Sequence, residues 1–268
     1  SSFMVFRISI ALVAALVLHA GLAPGPFNSE VQAMLAEVVR GAGWMYLLVV
    51  FLSLTFLLYL AFGRFGSLRI GGEDAEPDFS RASWMSMLFA AGMGIGLVFW
   101  GAAEPISHFT KPPEGLAPQS MDAARASMRY AFFHWGLHPW AIYALIGLAM
   151  AWFQFNRNGR GLVSDMLQPI IGRHHRGWIG HVVNVAAVVA TAIGVATTLG
   201  FGTIQIAAGV ERVFGISASV PSQLVIIAIA FVMYMASTTS GVDRGIKWLS
   251  NFNLGLAALL LAMVLVLG

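Results

Sequence analysis

The sequence predicts an all-α, polytopic membrane protein with about seven transmembrane helices. Three observations predict it. Of the 268 residues, 58% are hydrophobic and only 10% are charged. Mean hydropathy is +0.79. The apolar residues gather into seven stretches, each near the roughly 20 residues a helix needs to cross a hydrocarbon core of about 30 Å. A soluble fold of this size leaves roughly a quarter of its unfolded surface exposed, which so apolar a chain could not tolerate in water. This argues against a soluble enzyme, and the same apolarity argues against a disordered chain.

The stretches run Phe3–Ala20, Gly43–Phe62, Trp84–Ala103, Met128–Phe155, Val182–Val210, Gln223–Ser237 and Leu249–Leu267. Arg7 in the first reaches the interface by snorkelling. Turn chemistry separates them at Gly25-Pro26, Gly71-Gly72, Lys111-Pro112-Pro113, Asn158-Gly159 and Ser240-Gly241. The acidic run from Glu73 to Asp78 reads as a solvated loop.

With the N-terminus inside, Arg7, Arg64, Arg69, Arg81, Arg157, Arg160, Arg173, Arg176, Arg244 and Lys247 lie on the inner side. Arg40, Lys111, Arg125, Arg129 and Arg212 lie outside. Ten against five favours a cytoplasmic N-terminus. The expected location is the bacterial inner membrane. The chain opens Ser1-Ser2 without a methionine, and Gly268 follows an apolar run with no basic stop. Sequence beyond both ends is therefore expected.

Composition closes several routes. With no cysteine there is no disulfide framework, thiolate metal site or cysteine nucleophile. The formal charge is +3, but the basic residues are scattered rather than striped, so nucleic acid is not an expected partner. Ser164 and Asp165 have no histidine at a triad spacing. His134 and His138, at i and i+4, have the spacing of a zinc-binding pair but lack the glutamate of that motif and a third ligand close in sequence. Packing or hydrogen bonding is the expected role there. His174-His175 sits in a basic loop suited to solvent or lipid headgroups.

The third stretch contains Gly92, Gly94 and Gly96. Each glycine weakens a helix by about 1 kcal/mol relative to alanine. Two readings follow: close helix–helix approach through small residues, or a helix unwound at mid-membrane so that peptide dipoles face an ion or substrate. On the fourth stretch, Trp135, Trp140 and Tyr143 fall at roughly 0°, 140° and 80° around one helix. They form either an interfacial aromatic belt or a cage for a quaternary ammonium. Such a cation has no N–H to donate, so ring faces must attract it, at about 0.5–2 kcal/mol each. Pro139 is expected to kink this helix.

The string from Gly92 to Pro105 (GMGIGLVFWGAAEP) resembles the signature of the betaine/choline/carnitine transporter family. The resemblance continues in Phe132–Tyr143, in Ala196–Gly200 and in Ser240–Lys247. It implies the first half of a LeuT-like inverted-repeat fold. Residues 1–82 would hold two peripheral helices, and 83–268 the first five-helix repeat, with the second repeat outside this chain. The implied function is secondary active import of a small trimethylammonium osmolyte, glycine betaine first, by sodium symport. Proton-coupled choline uptake and carnitine-type exchange are the alternatives. A non-transporting subunit or an intramembrane enzyme are the rivals from other classes.

The resemblance also implies residue roles. Trp135, Trp140 and Tyr143 would form the ammonium cage, with Trp100 lining the outer path. The amides of Gly92, Gly94 and Gly96 would receive the substrate carboxylate. Carbonyls of Ala90 and Met93 would ligate sodium. Thr191 would serve a second cation site, although Val195 stands where that site's other hydroxyl is expected. Gly96 replaces the aspartate of proton-coupled members, which favours sodium. Glu104-Pro105 suits a cap or outer gate, and Asp243, Arg244 and Lys247 either headgroup contact or an inner gate. No cofactor is expected besides the coupling ion. Family members often form homotrimers.

Overall fold

The computed structural model describes residues 2–92, 95–113, 115–241 and 245–267. Every regular element among them is helical. The helices are α1 (Ser2–Leu22), α2 (Pro24–Phe62), α3 (Arg81–Gly92), α4 (Ile95–Thr110), α5 (Met121–Trp135), α6 (Leu137–Ala151), α7 (Gln168–Ile171), α8 (Trp178–Phe214), α9 (Val220–Thr239) and α10 (Lys247–Leu267). A π-helical turn, Trp152–Asn156, extends α6, and 3-10 turns at Val163–Leu167 and Gly172–Arg176 flank α7.

Local sequence explains most boundaries. The turn expected at Gly25-Pro26 lies instead inside the first turn of α2, and only Ala23 separates α1 from α2. Pro24 and Pro26 occupy first-turn positions whose N–H groups have no helical acceptor, so proline costs nothing there. At 39 residues, α2 is about 58 Å long, close to twice a bilayer core. Its expected span, 43–62, is the C-terminal half. Ser80 and Ser120 act as N-caps. The Ser80 hydroxyl accepts from the Ser83 N–H at 3.3 Å, and the Ser120 hydroxyl from the Ala123 N–H at 3.1 Å.

Among the described residues, six segments are long and apolar enough to cross a membrane: Phe3–Leu22, Pro24–Phe62, Met121–Asn156, Trp178–Phe214, Val220–Thr239 and Lys247–Leu267. They cover six of the seven expected stretches. The seventh, Trp84–Ala103, is carried by α3 and α4, of 12 and 16 residues, each too short alone. The opening expected over the run Gly92–Gly96 finds Gly92 at the end of α3 and Ile95 and Gly96 at the start of α4, while Met93 and Gly94 lie outside the described residues.

Burial is inverted relative to a soluble domain. Among the described residues the buried apolar ones are four alanines, Ala123, Ala126, Ala141 and Ala207, while Phe3, Leu18, Leu47, Phe231 and Leu265 face outward. Buried polar residues are small as well, including Ser53, Ser83, Ser86 and Thr203. Small residues between helices and large apolar ones outside are what a lipid solvent selects, because lipid does not drive large side chains inward. Several serine and threonine hydroxyls are satisfied by carbonyls of their own helices, whereas the buried Ser9 hydroxyl has no hydrogen-bond partner among the described residues. Ser53 donates to the Val49 carbonyl at 2.7 Å and Thr203 to that of Leu199 at 2.8 Å.

The chain divides into two compact units. One comprises Ser1–Ala75 with Met128–Gly194; within it α2 packs along α6, and α1 against α2. The other comprises Glu76–Ser127 with Val195–Gly268, and its main packing is α10 on α3. There Asn251 donates to the Ser83 hydroxyl at 3.5 Å, and the Lys247 ammonium lies 5.9 Å from the Phe79 ring.

Candidate functional site

The aromatic group is built around a helix break. In a continuous helix the Trp135 carbonyl would accept from the N–H of residue 139, but that residue is Pro139, which has none. The chain breaks one residue after Trp135, at Gly136 (φ −84°, ψ −148°), and α6 restarts at Leu137. Pro139 therefore sits in the first turn of α6, where its missing N–H is harmless. The orphaned carbonyl is still satisfied: the Trp140 indole N–H donates to it at 2.9 Å. In lipid an unpaired carbonyl has no water to turn to.

This corrects the expectation of one helix carrying all three aromatics. Trp135 ends α5, while Trp140 and Tyr143 lie on α6. The angular estimate fails because a proline four residues after Trp135 removes the hydrogen bond that would continue the helix. The three are nonetheless brought together. Trp135 and Trp140 are joined by that hydrogen bond, and Trp140 and Tyr143 have ring centroids 5.6 Å apart at 39°. Tyr143 is 71% exposed and the two indoles are half-buried. An anchored Trp140 indole beside an accessible phenol ring suits a cation that offers only methyl groups and charge.

Gly136 is required at the break. A Cβ there would meet the Phe132 carbonyl oxygen, which is backbone and cannot swing aside. The break also separates His134 from His138, placing them on different helices, so their helical i, i+4 register is lost. Both rings pack on Phe133, at 5.7 and 5.0 Å between centroids.

The remaining expected residues have these places. Ala90 and Gly92 lie in the last turn of α3, and Gly96 is the second residue of α4. Met93, Gly94, Asp243 and Arg244 lie outside the described residues. Trp100 belongs to an aromatic group of its own. It meets Phe99 and Phe201 edge-on at 5.2 and 5.6 Å, while Phe99 stacks on Phe201 at 5.3 Å. One turn further along α4, Glu104 and His108 are 3.3 Å apart. The exposed Thr191 hydroxyl donates to the Ala187 carbonyl at 2.7 Å. Val195, one turn later, offers no oxygen.

Comparison with known proteins now bears on this geometry. Residues 4–268 match the sequence model of the betaine/carnitine/choline family of transporters. The chain belongs to this family. It is similar to the glycine betaine transporter OpuD of Bacillus subtilis, with 46% identity over 264 residues, 98% of this chain and 52% of that protein. It shares 41% identity over 265 residues with the ectoine/hydroxyectoine transporter of Virgibacillus pantothenticus, again 98% of this chain and 52% of the relative. Glycine betaine transporter 1 of Vibrio parahaemolyticus is 39% identical over 264 residues, 97% of this chain and 50% of the relative. The chain thus spans about half the length of the curated relatives it matches.

In this betaine/carnitine/choline family chain, sequence reasoning missed the polar ties that hold the end of α6 remote from the aromatics. Asn156 closes the π turn, and its side chain accepts from the Gly71 N–H at 2.9 Å and donates to the Arg69 carbonyl at 3.1 Å. The Ser164 N–H donates to Asn184 at 3.1 Å, and Asn184 donates back to the Ser164 hydroxyl at 3.0 Å. Asp165, only 4% exposed, accepts from the Arg160 guanidinium at 2.6 Å and the Arg160 backbone N–H at 2.7 Å. Burial alone would raise the Asp165 pKa. The Arg160 hydrogen bonds and charge, with the Leu162 N–H, outweigh burial and hold the carboxyl below its ordinary value. The only sequence signal was the presence of polar residues beside turns.

Proposed function

We propose that the full protein containing this chain is a secondary transporter that imports a quaternary-ammonium osmolyte, glycine betaine first, by sodium symport. The observation that carries this reading is the Trp135, Trp140 and Tyr143 group, held at the Gly136 break by the Trp140 indole bond and the 5.6 Å ring pair. Trimethylammonium recognition needs ring faces rather than acceptors, and the hydrogen-bonded Trp140 ring lying against Tyr143 supports this reading. Two of the relatives above are named as glycine betaine transporters, which supports the same substrate class.

In this reading the amides of Gly92, Gly94 and Gly96 receive the betaine carboxylate, and Trp100 lines the access path. Sodium is a co-transported substrate. The Ala90 and Met93 carbonyls and the Thr191 hydroxyl are hard oxygen donors that suit it. Val195 argues against a complete second sodium site. Residues 1–82 serve as peripheral helices and 83–268 as the first repeat, with the N-terminus cytoplasmic and three copies assembling in the bacterial inner membrane.

Uptake by the full-length protein in proteoliposomes tests the reading. Labelled glycine betaine should accumulate under an inward sodium gradient and not under a proton gradient alone. Accumulation driven only by protons, or none at all, overturns it. The 41% identity to a protein named as an ectoine/hydroxyectoine transporter favours ectoine as the second substrate to assay. Ectoine carries ring N–H groups, so tight discrimination by methylation state would separate the two.

A further inference from the structure

We propose that the segment Gln168–Trp178 is a binding site for the headgroup of an anionic phospholipid. The segment connects two stretches long enough to cross a membrane, one ending at Asn156 and the other beginning at Trp178. Connectivity therefore puts it at the bilayer surface. Gln168, Gly172, Arg173, His175 and Arg176 line a depression of about 590 Å³. Gly172, with φ +55°, turns the chain from α7 into the 3-10 turn that carries the basic residues. That backbone conformation disfavours any side chain.

The site is built from within. His175 is 5% exposed. Its Nδ1 lies 2.6 Å from the Gly172 carbonyl oxygen, which can only accept, so Nδ1 carries the hydrogen. Nε2 is then an acceptor, and it receives the Arg176 Nε–H at 3.2 Å. A neutral ring thus orients the Arg176 guanidinium without cancelling its charge. Between residues 157 and 177 the only acidic residue is Asp165, and it is engaged by Arg160. Among the described residues, no carboxylate pairs with Arg173 or Arg176. Two guanidiniums beside one cavity are complementary to a phosphodiester.

Two apolar side chains select a lipid over a soluble anion. Ile170, 79% exposed, and Trp178, 72% exposed, flank the arginines on either side in sequence. A tryptophan at the start of a span is an interfacial anchor. An exposed isoleucine beside basic residues gains by entering the acyl boundary, whereas free phosphate or an acidic peptide leaves it in water.

Native mass spectrometry of the full-length protein in neutral detergent, titrated with phosphatidylglycerol or phosphatidylcholine, tests this. Phosphatidylglycerol should bind more tightly. R173Q should weaken it roughly fivefold and R173Q/R176Q more than tenfold, with phosphatidylcholine unchanged. The single variant removes an exposed side chain with no ion pair among the described residues, so it remains informative if the double variant does not fold; melting temperature monitors this. Equal affinity for the two lipids, or unchanged phosphatidylglycerol binding in R173Q, overturns the proposal. So does displacement of the lipid by excess inorganic phosphate or by polyglutamate, which would indicate a small-anion or protein-docking site.

Discussion

The Trp140 indole nitrogen lies 2.9 Å from the backbone carbonyl oxygen of Trp135 and supplies the hydrogen bond that Pro139 cannot. One side chain therefore closes the polar gap left by a helix break and presents a ring face beside Tyr143. Helix continuity is given up at Gly136, and the fixed orientation of an aromatic group is obtained in return. Because both roles fall on Trp140, its N–H and its ring can be separated by mutation.

Trp140→Phe keeps a ring and deletes the N–H. The Trp135 carbonyl then loses the indole hydrogen bond, and the protein should lose about 1–2 kcal/mol of stability, read as a lower melting temperature. Trp140→Ala removes the ring as well. In the full-length transporter it should raise the KM for glycine betaine roughly tenfold, the scale of one cation–π contact. An unchanged KM in Trp140→Ala would exclude this residue from the cage.

Gly136→Ala puts a methyl group against the Phe132 carbonyl oxygen. Backbone must move to admit it, at about 1–3 kcal/mol. The expected outcome is a lower melting temperature, together with weaker betaine binding because α5 and α6 meet at this residue. A variant as stable and active as the parent would show that the break tolerates a side chain.

Asp165 links stability to pH. Its folded pKa lies below its unfolded value of about 3.9. Its contribution is therefore complete above the unfolded value and is lost as pH falls through the folded one. Melting temperature should drop between pH 6 and pH 3 in the parent and drop less in Asp165→Asn, which should already be destabilised at pH 6. Parallel curves for the two proteins would contradict this.

Thr191→Ala removes an exposed hydroxyl whose hydrogen is used only within its own helix. Melting temperature should scarcely move. Half-saturating sodium for uptake should rise about fivefold, the loss of one neutral oxygen ligand at about 1 kcal/mol, with the betaine KM at saturating sodium unchanged. Identical sodium curves would remove Thr191 from the ion path.

By itself the sequence determined the helical spans, because apolar run length is a one-dimensional property and an unbroken apolar run of about 20 residues satisfies its backbone in lipid as a helix. It also placed the aromatic residues and the family motifs. Pro139 and Gly136 were visible in it, yet the angular reading ran a single helix through them. Only the tertiary structure decided that the Trp140 indole caps the orphaned carbonyl, that Phe201 lies against Trp100, and that Asn156 reaches Arg69 and Gly71 across more than eighty residues. Hydropathy sums along the chain, but a hydrogen bond or ring contact depends on direction and on separations of a few ångströms. Among many polar and aromatic side chains with similar local surroundings, only packing selects the pairs that meet.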